Sequence, residues 1–583
     1  MAASQEAYEL PRKPLPSEVP LRRKLTRSHS TLWRPWSPII ATSTLKEYER
    51  SIYKYPWLDS EQSNETHYED LEGGYGSIPQ MEDAKERELE DAGQRLLAPV
   101  KEHPSDNSGA NTPPEQDPNL VTWDSPNDPE NPKNWPKSKK WTATVLVSCF
   151  TFISPVSSTM LAPALPVLAK EFNISSSIET YFLMSIFLLA YAVGPFILGP
   201  LSEMYGRVVV LQSANMVFLI FNTVAGWSTN KEMMLAFRFL SGLGGSAPQA
   251  LGGGVLSDCW RAEERGMAHA VYSLAPFLGP AVGPIAAGYL TQYLNWRWIF
   301  WTVSIADALV QILACLFLPE TYTPKILLLK ARRLRKETGN DKLLTEYERP
   351  DRTFGQTLRK NLVRPFIMLF TQPALQVTAL YRAYLYGLMY LVLASFPMVW
   401  SQQYDQEPGP ASLNYISLGV GFVIGLQISG PLIDKTYAHL QAKYNHPGRP
   451  EFRVPLMYPT AIVVPTGLII YGVGAHYRVH WAVPNVGAGI FAAGLILSFQ
   501  CVQTYTIDTY ERYAASATGA AAFVRTMAGF SFPLFAPSMY DKLGIALGNG
   551  VMAAVALVLG IVVPTLMWKY GAWLRSKSQY CSG

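Results

Sequence analysis

Five ionisable side chains stand in or beside long apolar runs, where a charge needs a reason: Arg238, Asp307, Arg382, Asp508 and Arg525. An unpaired charge deep in a membrane helix costs about 2.5–3.5 kcal/mol on insertion scales. Each therefore implies a partner, a water-filled path or a ligand. Asp307 is the carboxylate set deepest and could carry a proton, while a structural Asp paired with Ser fits it equally well. Arg238 reads as a residue that organises a gate. Arg525, in Phe523-Val524-Arg525, is expected to be paired, and Asp508 to be solvated at a helix end. Arg382 is the candidate for meeting an anionic substrate.

Around Arg382 lie Tyr381, Tyr384, Tyr386 and Tyr390, with Gln427, Gln500 and Gln503 on later runs. Aromatic rings with a few neutral hydrogen-bonding groups suit an amphipathic organic molecule in a mainly apolar cavity. Substrate contacts are expected at Tyr384, Gln500 and Gln503. Enzymatic chemistry has little to stand on. The chain holds no Gly-Lys dipeptide, so it has no Walker A loop for ATP, and it has no His-Glu-x-x-His. Gly242-Leu243-Gly244-Gly245 lies inside an apolar run with no strand before it, unlike a dinucleotide loop. No nucleophile is paired with a base, and no metal or cofactor is expected.

The elements that must position these residues are membrane helices. Of the 583 residues, 1–140 hold 42 of the 94 charges, and the apolar remainder carries an excess of basic residues. That separates a charged tail from a membrane body. With about seventeen of the 44 prolines and no sustained apolar period, residues 1–140 read as a disordered tail. Ser28, Ser30 and Thr31 beside Arg22, Arg23, Lys24 and Arg27 match a phosphorylation pattern. No secretory signal is visible. The five cysteines are scattered without a close pair, which argues against disulfides or a zinc site.

From Trp141 onward, apolar runs recur at about the 20 residues that cross a bilayer. They are placed at 142–166, 178–198, 208–227, 232–254, 266–291 and 297–318, then at 374–398, 412–432, 454–474, 483–507, 516–538 and 548–568. A polar linker separates the two sets of six. The expected architecture is an all-α membrane protein of twelve helices in two pseudo-symmetric bundles. Its units are a tail over 1–140, bundles over 141–320 and 363–575, a linker over 321–362 and a short end over 576–583. The stretch 319–362 holds eleven basic residues, whereas the loop Ser401 to Ser412 holds none. Positive charge marks the cytoplasmic side, so both termini and the linker are expected there, in a multi-pass plasma-membrane protein. Asn173-Ile174-Ser175 falls in a short loop on the other side and makes Asn173 a glycosylation candidate with little room for a glycan.

The halves repeat a turn. Gly199-Pro200-Leu201-Ser202-Glu203 follows the second run, and Gly430-Pro431-Leu432-Ile433-Asp434 follows the eighth. A duplicated turn at matching positions points to a transporter with its site between the halves. Gly199, Glu203, Gly206, Arg207 and Asp434 are the candidate latch, with Glu203 facing a helix terminus or Arg207 and holding the halves together. Gly279, Pro280, Gly283 and Pro284 form a small-residue, Pro-bent face for close helix packing.

The chain resembles the major facilitator superfamily, and within it the fungal twelve-helix drug:proton antiporters. Gly199-x-Leu201-Ser202-Glu203-x-x-Gly206-Arg207 is similar to the family's loop between helices two and three, with Glu where Asp is usual. Arg238 to Gly242 matches the fourth-helix signature, and Gly279 to Pro284 the fifth-helix antiporter signature, ending in Gly-Pro rather than Gly-Gly. Asn134-Trp135-Pro136, Asn295 to Phe300, Pro319-Glu320-Thr321 and Pro450 to Arg453 resemble the fungal branch. The resemblance covers roughly 120–575. It implies a role for Arg238 in proton coupling, with Asp307 and Arg525 as further candidates, and export through the fifth-helix motif. The expected partners are a small-molecule substrate, protons and the lipid bilayer, with no nucleic acid, for a chain acting as a monomer. The expectation is proton-coupled export of small amphipathic compounds such as a secondary metabolite, toxin or fungicide. An uptake carrier for an organic acid or polyamine, or a transporter-like sensor, remains open.

Overall fold

A computed structural model describes residues 119–581 apart from 262–263, 349–353, 447 and 579. The first 118 residues, with the phosphorylation candidates, lie outside the described residues. Residues 119–136, expected to end the tail, are instead built into the body. Leu120–Val121 (β1) pairs in parallel with Leu344–Thr345 (β2), which follows the linker helix. Asn131 caps a short 3-10 turn at Pro132–Asn134, accepting from the backbone N–H of Lys133. The stretch stays put because Lys330 reaches into it, pairing with Asp124 at 2.7 Å and Asp128 at 3.4 Å.

The first bundle runs through α1 (Lys137–Thr159), α2 (Leu165–Glu171), α3 (Ser177–Tyr205), α4 (Arg207–Ala225), α5 (Lys231–Gly245), α6 (Ala247–Cys259), α7 (Arg265–Tyr293) and α8 (Arg297–Phe317). The linker carries α9 (Thr323–Thr338) and α10 (Phe354–Thr371). The second bundle contains α11 (Pro373–Tyr404), α12 (Pro408–Leu413), α13 (Tyr415–Tyr444), α14 (Met457–His476), α15 (Ala482–Thr509) and α16 (Ala514–Ser576).

Ten of these segments are long and apolar enough to cross a membrane. The difference from twelve runs has two local causes. The fourth run is split at Ser246 into α5 and α6, with Pro248 in the first turn of α6. The last two runs, labelled together as α16, are two helical arms that reverse at Gly544, whose φ of 72° is left-handed and suits glycine. Twelve crossings result, six per bundle. The first residue of α1, the α3–α4 turn and the α13–α14 connection emerge on one face, called here the tail side; α12 lies on the opposite, far side.

The bundles meet where α3 packs on α16 and α7 packs on α12 and α13. Gln292 of α7 donates to Glu407 at 2.5 Å and accepts from the Gly409 backbone N–H at 2.8 Å on the far side. Midway, Ser158 Oγ and Tyr390 Oη share a hydrogen bond of 2.9 Å. Toward the tail side, Phe196 of α3, Phe366 of α10 and Phe523 of α16 close a ring trio with centroids 4.8–5.6 Å apart.

Candidate transport pathway

The α3–α4 turn is a junction of helix ends. Gly206, with φ 103°, ends α3 and caps α4, a conformation that strains any residue with a Cβ. Its neighbour Arg207 donates from Nε to Asp258 Oδ2 of α6 at 2.5 Å and lies over the Tyr322 ring at 4.9 Å. Arg207 also presses on Gly254, where a Cβ would come within 2.6 Å of the guanidinium carbon. Glu320 accepts from the backbone N–H groups of Arg207 at 3.0 Å and Val208 at 3.3 Å, placing a carboxylate on the positive end of α4. Glu203 is exposed. Burial and the Glu203 carboxylate together hold the Tyr322 phenol above its ordinary range, outweighing Arg207. The Cβ position of Gly199 meets nothing within 4 Å.

The second bundle repeats this junction. Arg453, just before α14, pairs from Nε with Asp508 at the end of α15 at 2.9 Å and from Nη1 with Asp434 at 3.3 Å. Arg207–Asp258 and Arg453–Asp508 occupy corresponding helix ends. The expected latch between halves is therefore corrected in its wiring. Arg207 and Asp434 each pair inside their own bundle, because the nearest opposite charges are on the adjoining helix ends. Asp508, expected to be merely solvated, is a partner in that pair.

Inside the first bundle, Arg238 is fully buried. Its Nη1 donates to Ser157 O at 2.9 Å and Oγ at 3.1 Å, its Nη2 to Met184 O at 3.3 Å, and its guanidinium covers the Phe187 ring at 4.7 Å. From there a polar line continues. Ser157 Oγ donates to Asn222 Oδ1 at 3.1 Å, and Asn222 Nδ2 donates to Ser304 Oγ at 3.0 Å. One turn along α8 from Ser304, fully buried Asp307 accepts from Asn215 at 2.9 Å through Oδ2, while its Oδ1 has no partner among the described residues. Arg238 and Asp307 thus belong to two buried polar groups, Arg238–Ser157–Asn222–Ser304 and Asp307–Asn215–Gln311, set one turn apart on α8 with no hydrogen bond between them among the described residues.

The glycines of α7 let it lie on α1. A Cβ at Gly279 or Gly283 would come within 2.7 Å of the carbonyl oxygen of Phe152 or Val156. Pro284 lacks the N–H that would bond the Pro280 carbonyl four residues earlier. Thr159 of α1 takes up that freed carbonyl at 3.2 Å. Gly279, Pro280, Gly283 and Pro284 thus fit two backbones together and join α7 to the end of α1.

In the second bundle, Arg382 of α11 rests over Phe499 of α15 at 4.2 Å. Arg525 of α16 covers Tyr386 at 4.7 Å and reaches the same Phe499 at 5.6 Å. Tyr386 and Tyr390 pack at 4.9 Å, and Phe277 of α7 brings the first bundle against Phe499 at 5.8 Å. This cluster sits where the halves meet. A separate apolar groove of about 530 Å³, lined by Leu219, Trp227, Trp301 and Ile305, lies on the flank between α4 and α8. Trp227 and Ile305 are more than half exposed there, so this groove faces outward and not into the pathway.

A profile of the Major Facilitator Superfamily matches residues 147–533. The chain belongs to that superfamily. Efflux pump vrtL of Penicillium aethiopicum is 47% identical over 80% of this chain and 93% of its own length. An uncharacterized transporter of Schizosaccharomyces pombe is 43% identical over 79% and 94%. Efflux pump radE of Floropilus chiversii is 39% identical over 80% and 86%. Among solved structures, a partially occluded inward open conformation of the Escherichia coli xylose transporter XylE shares the fold, with a TM-score of 0.54 and 16% identity, covering 74% of this chain and 98% of that one. The protein is thus a membrane transporter of the Major Facilitator fold.

Within this Major Facilitator chain the remaining expectations divide. Arg382, Arg525 and Phe499 come together. Gln503 lies one turn from Phe499 on α15, and its Oε1 is buried with no partner among the described residues; Gln500 is half-buried on the same helix. Tyr384 does not join them. Its hydroxyl donates to the Met552 carbonyl at 2.5 Å and its ring packs on Phe532, so it ties α11 to the returning arm of α16. Arg525, expected to be paired, meets aromatic faces and makes no hydrogen bond or ion pair among the described residues. Asn173 is exposed in the turn between α2 and α3, with φ 53°, a left-handed position that Asn tolerates. Reading the sequence missed Asn215, Asn222, Ser157, Ser304 and Asp258. A signal was present: Asn215 and Asn222 are seven apart on one apolar helix, and Ser304, Asp307 and Gln311 follow 3.6-residue spacing on another.

Proposed function

We propose that the protein exports small amphipathic organic compounds across the plasma membrane, as a monomer, by exchange against protons. Its termini and linker would face the cytoplasm. The observation that carries this reading is the buried line from Arg238 through Ser157, Asn222 and Ser304 toward Asp307, in a chain whose relatives include efflux pumps. A carboxyl with one unpartnered oxygen, buried in a helix bundle, can hold and release a proton. Ser157 lies on α1 next to Ser158, which touches Tyr390 of the other bundle. Movement of one bundle against the other therefore pulls on the hydroxyl that Arg238 holds. Substrate release and proton uptake would be linked through that contact.

The test uses everted membrane vesicles containing the full chain, with fluorescein and rhodamine 6G offered as an anionic and a cationic dye. At least one dye should accumulate when the vesicle interior is acidic, and a protonophore should abolish it. Asp307→Asn should lower gradient-driven accumulation about tenfold or more while leaving dye-for-dye exchange. Accumulation of dye that is indifferent to the proton gradient would defeat the coupling.

A further inference from the structure

Arg382 and Arg525 differ from every other buried cation described above. Arg238 donates to two backbone carbonyls and a hydroxyl. Lys330 has two aspartates. Arg382 is 5% exposed, yet neither it nor Arg525 makes a hydrogen bond or ion pair among the described residues, and the Nε of each is buried without a partner. Both guanidiniums lie on Phe499, so two like charges share one ring and repel each other. An arginine does not relieve this by losing its proton. Ring faces offset about 2 kcal/mol or more when desolvated, against about 2.5–3.5 kcal/mol for each buried charge before repulsion is counted, and they give the N–H donors no acceptor. The unanswered donors and the mutual repulsion call for negative charge from outside the chain.

The surroundings narrow what can supply it. From the first bundle the phenols Tyr191 and Tyr272 lie within electrostatic reach of Arg525, and from its own bundle the Tyr386 ring lies under it at 4.7 Å. Asp307 lies within the first bundle, where Asn215 donates to its Oδ2, and it makes no ion pair with Arg382 or Arg525 among the described residues. Arg525 keeps part of its surface open although its ring neighbours Tyr386 and Phe499 are buried, so its guanidinium is not sealed in by the rings. Two forks of N–H donors match a carboxylate or another acidic oxygen pair. Phe499, Tyr386 and Phe277 make the wall around the two guanidiniums aromatic, which suits an aromatic body on the same molecule. Gln503 Oε1 waits for a donor such as a hydroxyl.

We propose that Arg382 and Arg525 form an anion-binding site, and that the transported compounds are organic anions with a carboxylate or similarly acidic group on an aromatic skeleton. This rests on the export reading for the word transported, but the site itself does not.

Fluorescein and rhodamine 6G share a ring system and differ in charge, so they separate charge from shape. For the purified full chain, fluorescein should raise the unfolding temperature and rhodamine 6G should not. Benzoate should displace fluorescein and benzamide should not, a comparison that needs no variant. Arg382→Gln and Arg525→Gln should each weaken fluorescein binding about tenfold or more, with Lys at either position recovering part of it. Equal or tighter binding of rhodamine 6G, equal displacement by benzamide, or variants within about twofold of wild type would overturn the proposal. In vesicles, gradient-driven accumulation of rhodamine 6G but not fluorescein would refute the anion site and keep the export reading. Fluorescein binding without gradient-driven accumulation of either dye would do the reverse.

Discussion

The two bundles agree at their ends and differ in their middles. At the tail side each carries an Arg at the start of its third helix and an Asp at the end of its fourth: Arg207–Asp258 at 2.5 Å and Arg453–Asp508 at 2.9 Å. In the middle, the first bundle holds its buried Arg238 with oxygens on α1 and α3, while the second leaves Arg382 and Arg525 on bare ring faces. Duplication explains the ends, where both halves must pack the same four helices. The divergent middles fit a division of labour, with the first bundle holding the buried carboxyl and the second holding the charge that greets a ligand.

The largest effect should come from testing how alike the ends are. In the first bundle Glu320 is answered by backbone N–H groups, which no side-chain change removes. In the second, Asp434 and Asp508 both take their ion pair from Arg453. Arg453→Ala would leave two facing carboxylates. It should cost about 2–4 kcal/mol of stability, somewhat below the range for breaking a fully buried pair because Asp434 is half exposed. Arg207→Ala should cost about 1–2 kcal/mol less. Thermal unfolding in detergent checks the order, and Asp508→Asn should partly rescue Arg453→Ala. Equal losses would mean that the two junctions are energetically equivalent after all.

Much of this contrast was open to a sequence reader at the ends and closed in the middle. The turn Gly199 to Arg207 and its echo Gly430 to Asp434 are local patterns, so their placement at helix ends follows from run length and turn chemistry. Their partners are not local: Asp258 lies 51 residues from Arg207, and Asp508 lies 55 from Arg453. The wiring therefore depended on which helices adjoin. Helix α11 shows the limit more sharply. It is buried almost all round, including Tyr381, Tyr386 and Tyr390, so no apolar stripe distinguishes the side of Tyr384 from the side of Arg382. Polar residues on helices with an exposed face, such as Asn215 and Asn222, could have been sorted by period. The break at Ser246 was hidden because membrane helices tolerate Gly and Pro without ending, whereas the reversal at Gly544 falls in the gap between the runs 516–538 and 548–568.

A smaller effect tests the division of labour at Tyr384. If the second bundle binds substrate through Arg382, Arg525 and Gln503, then Tyr384 is a brace. Tyr384→Phe removes its hydrogen bond to the Met552 carbonyl and should lower stability by about 0.5–1.5 kcal/mol. Dye accumulation per folded molecule should stay within about twofold of wild type, while Gln503→Leu should change it more. A transport defect from Tyr384→Phe at unchanged stability would place the substrate on the other side of α11.

The smallest effect concerns the straps that follow each bundle. After the second, Arg575 at the end of α16 pairs with Glu451. After the first, Lys330 of α9 holds Asp128, which also accepts from the backbone N–H groups of Glu130 at 2.9 Å and Asp124 at 3.0 Å. Burial pushes the Asp128 carboxyl up, but those two N–H groups and Lys330 outweigh it, so it titrates below its ordinary value of 3.8. The sign follows directly. A depressed carboxyl stabilises the folded strap above the unfolded value, and that contribution fades as pH falls through the folded one. Hydrogen exchange over 119–136 should therefore stay slow near neutral pH and quicken relative to the transmembrane helices below about pH 4. Asp128→Asn should quicken it at neutral pH and remove the acid dependence. Because the strap touches neither Arg238 nor Arg382, dye binding at neutral pH should be unchanged by Asp128→Asn. A binding change there would mean that the linker reports to the middle of the bundles, and that the two regions contrasted here do not act apart.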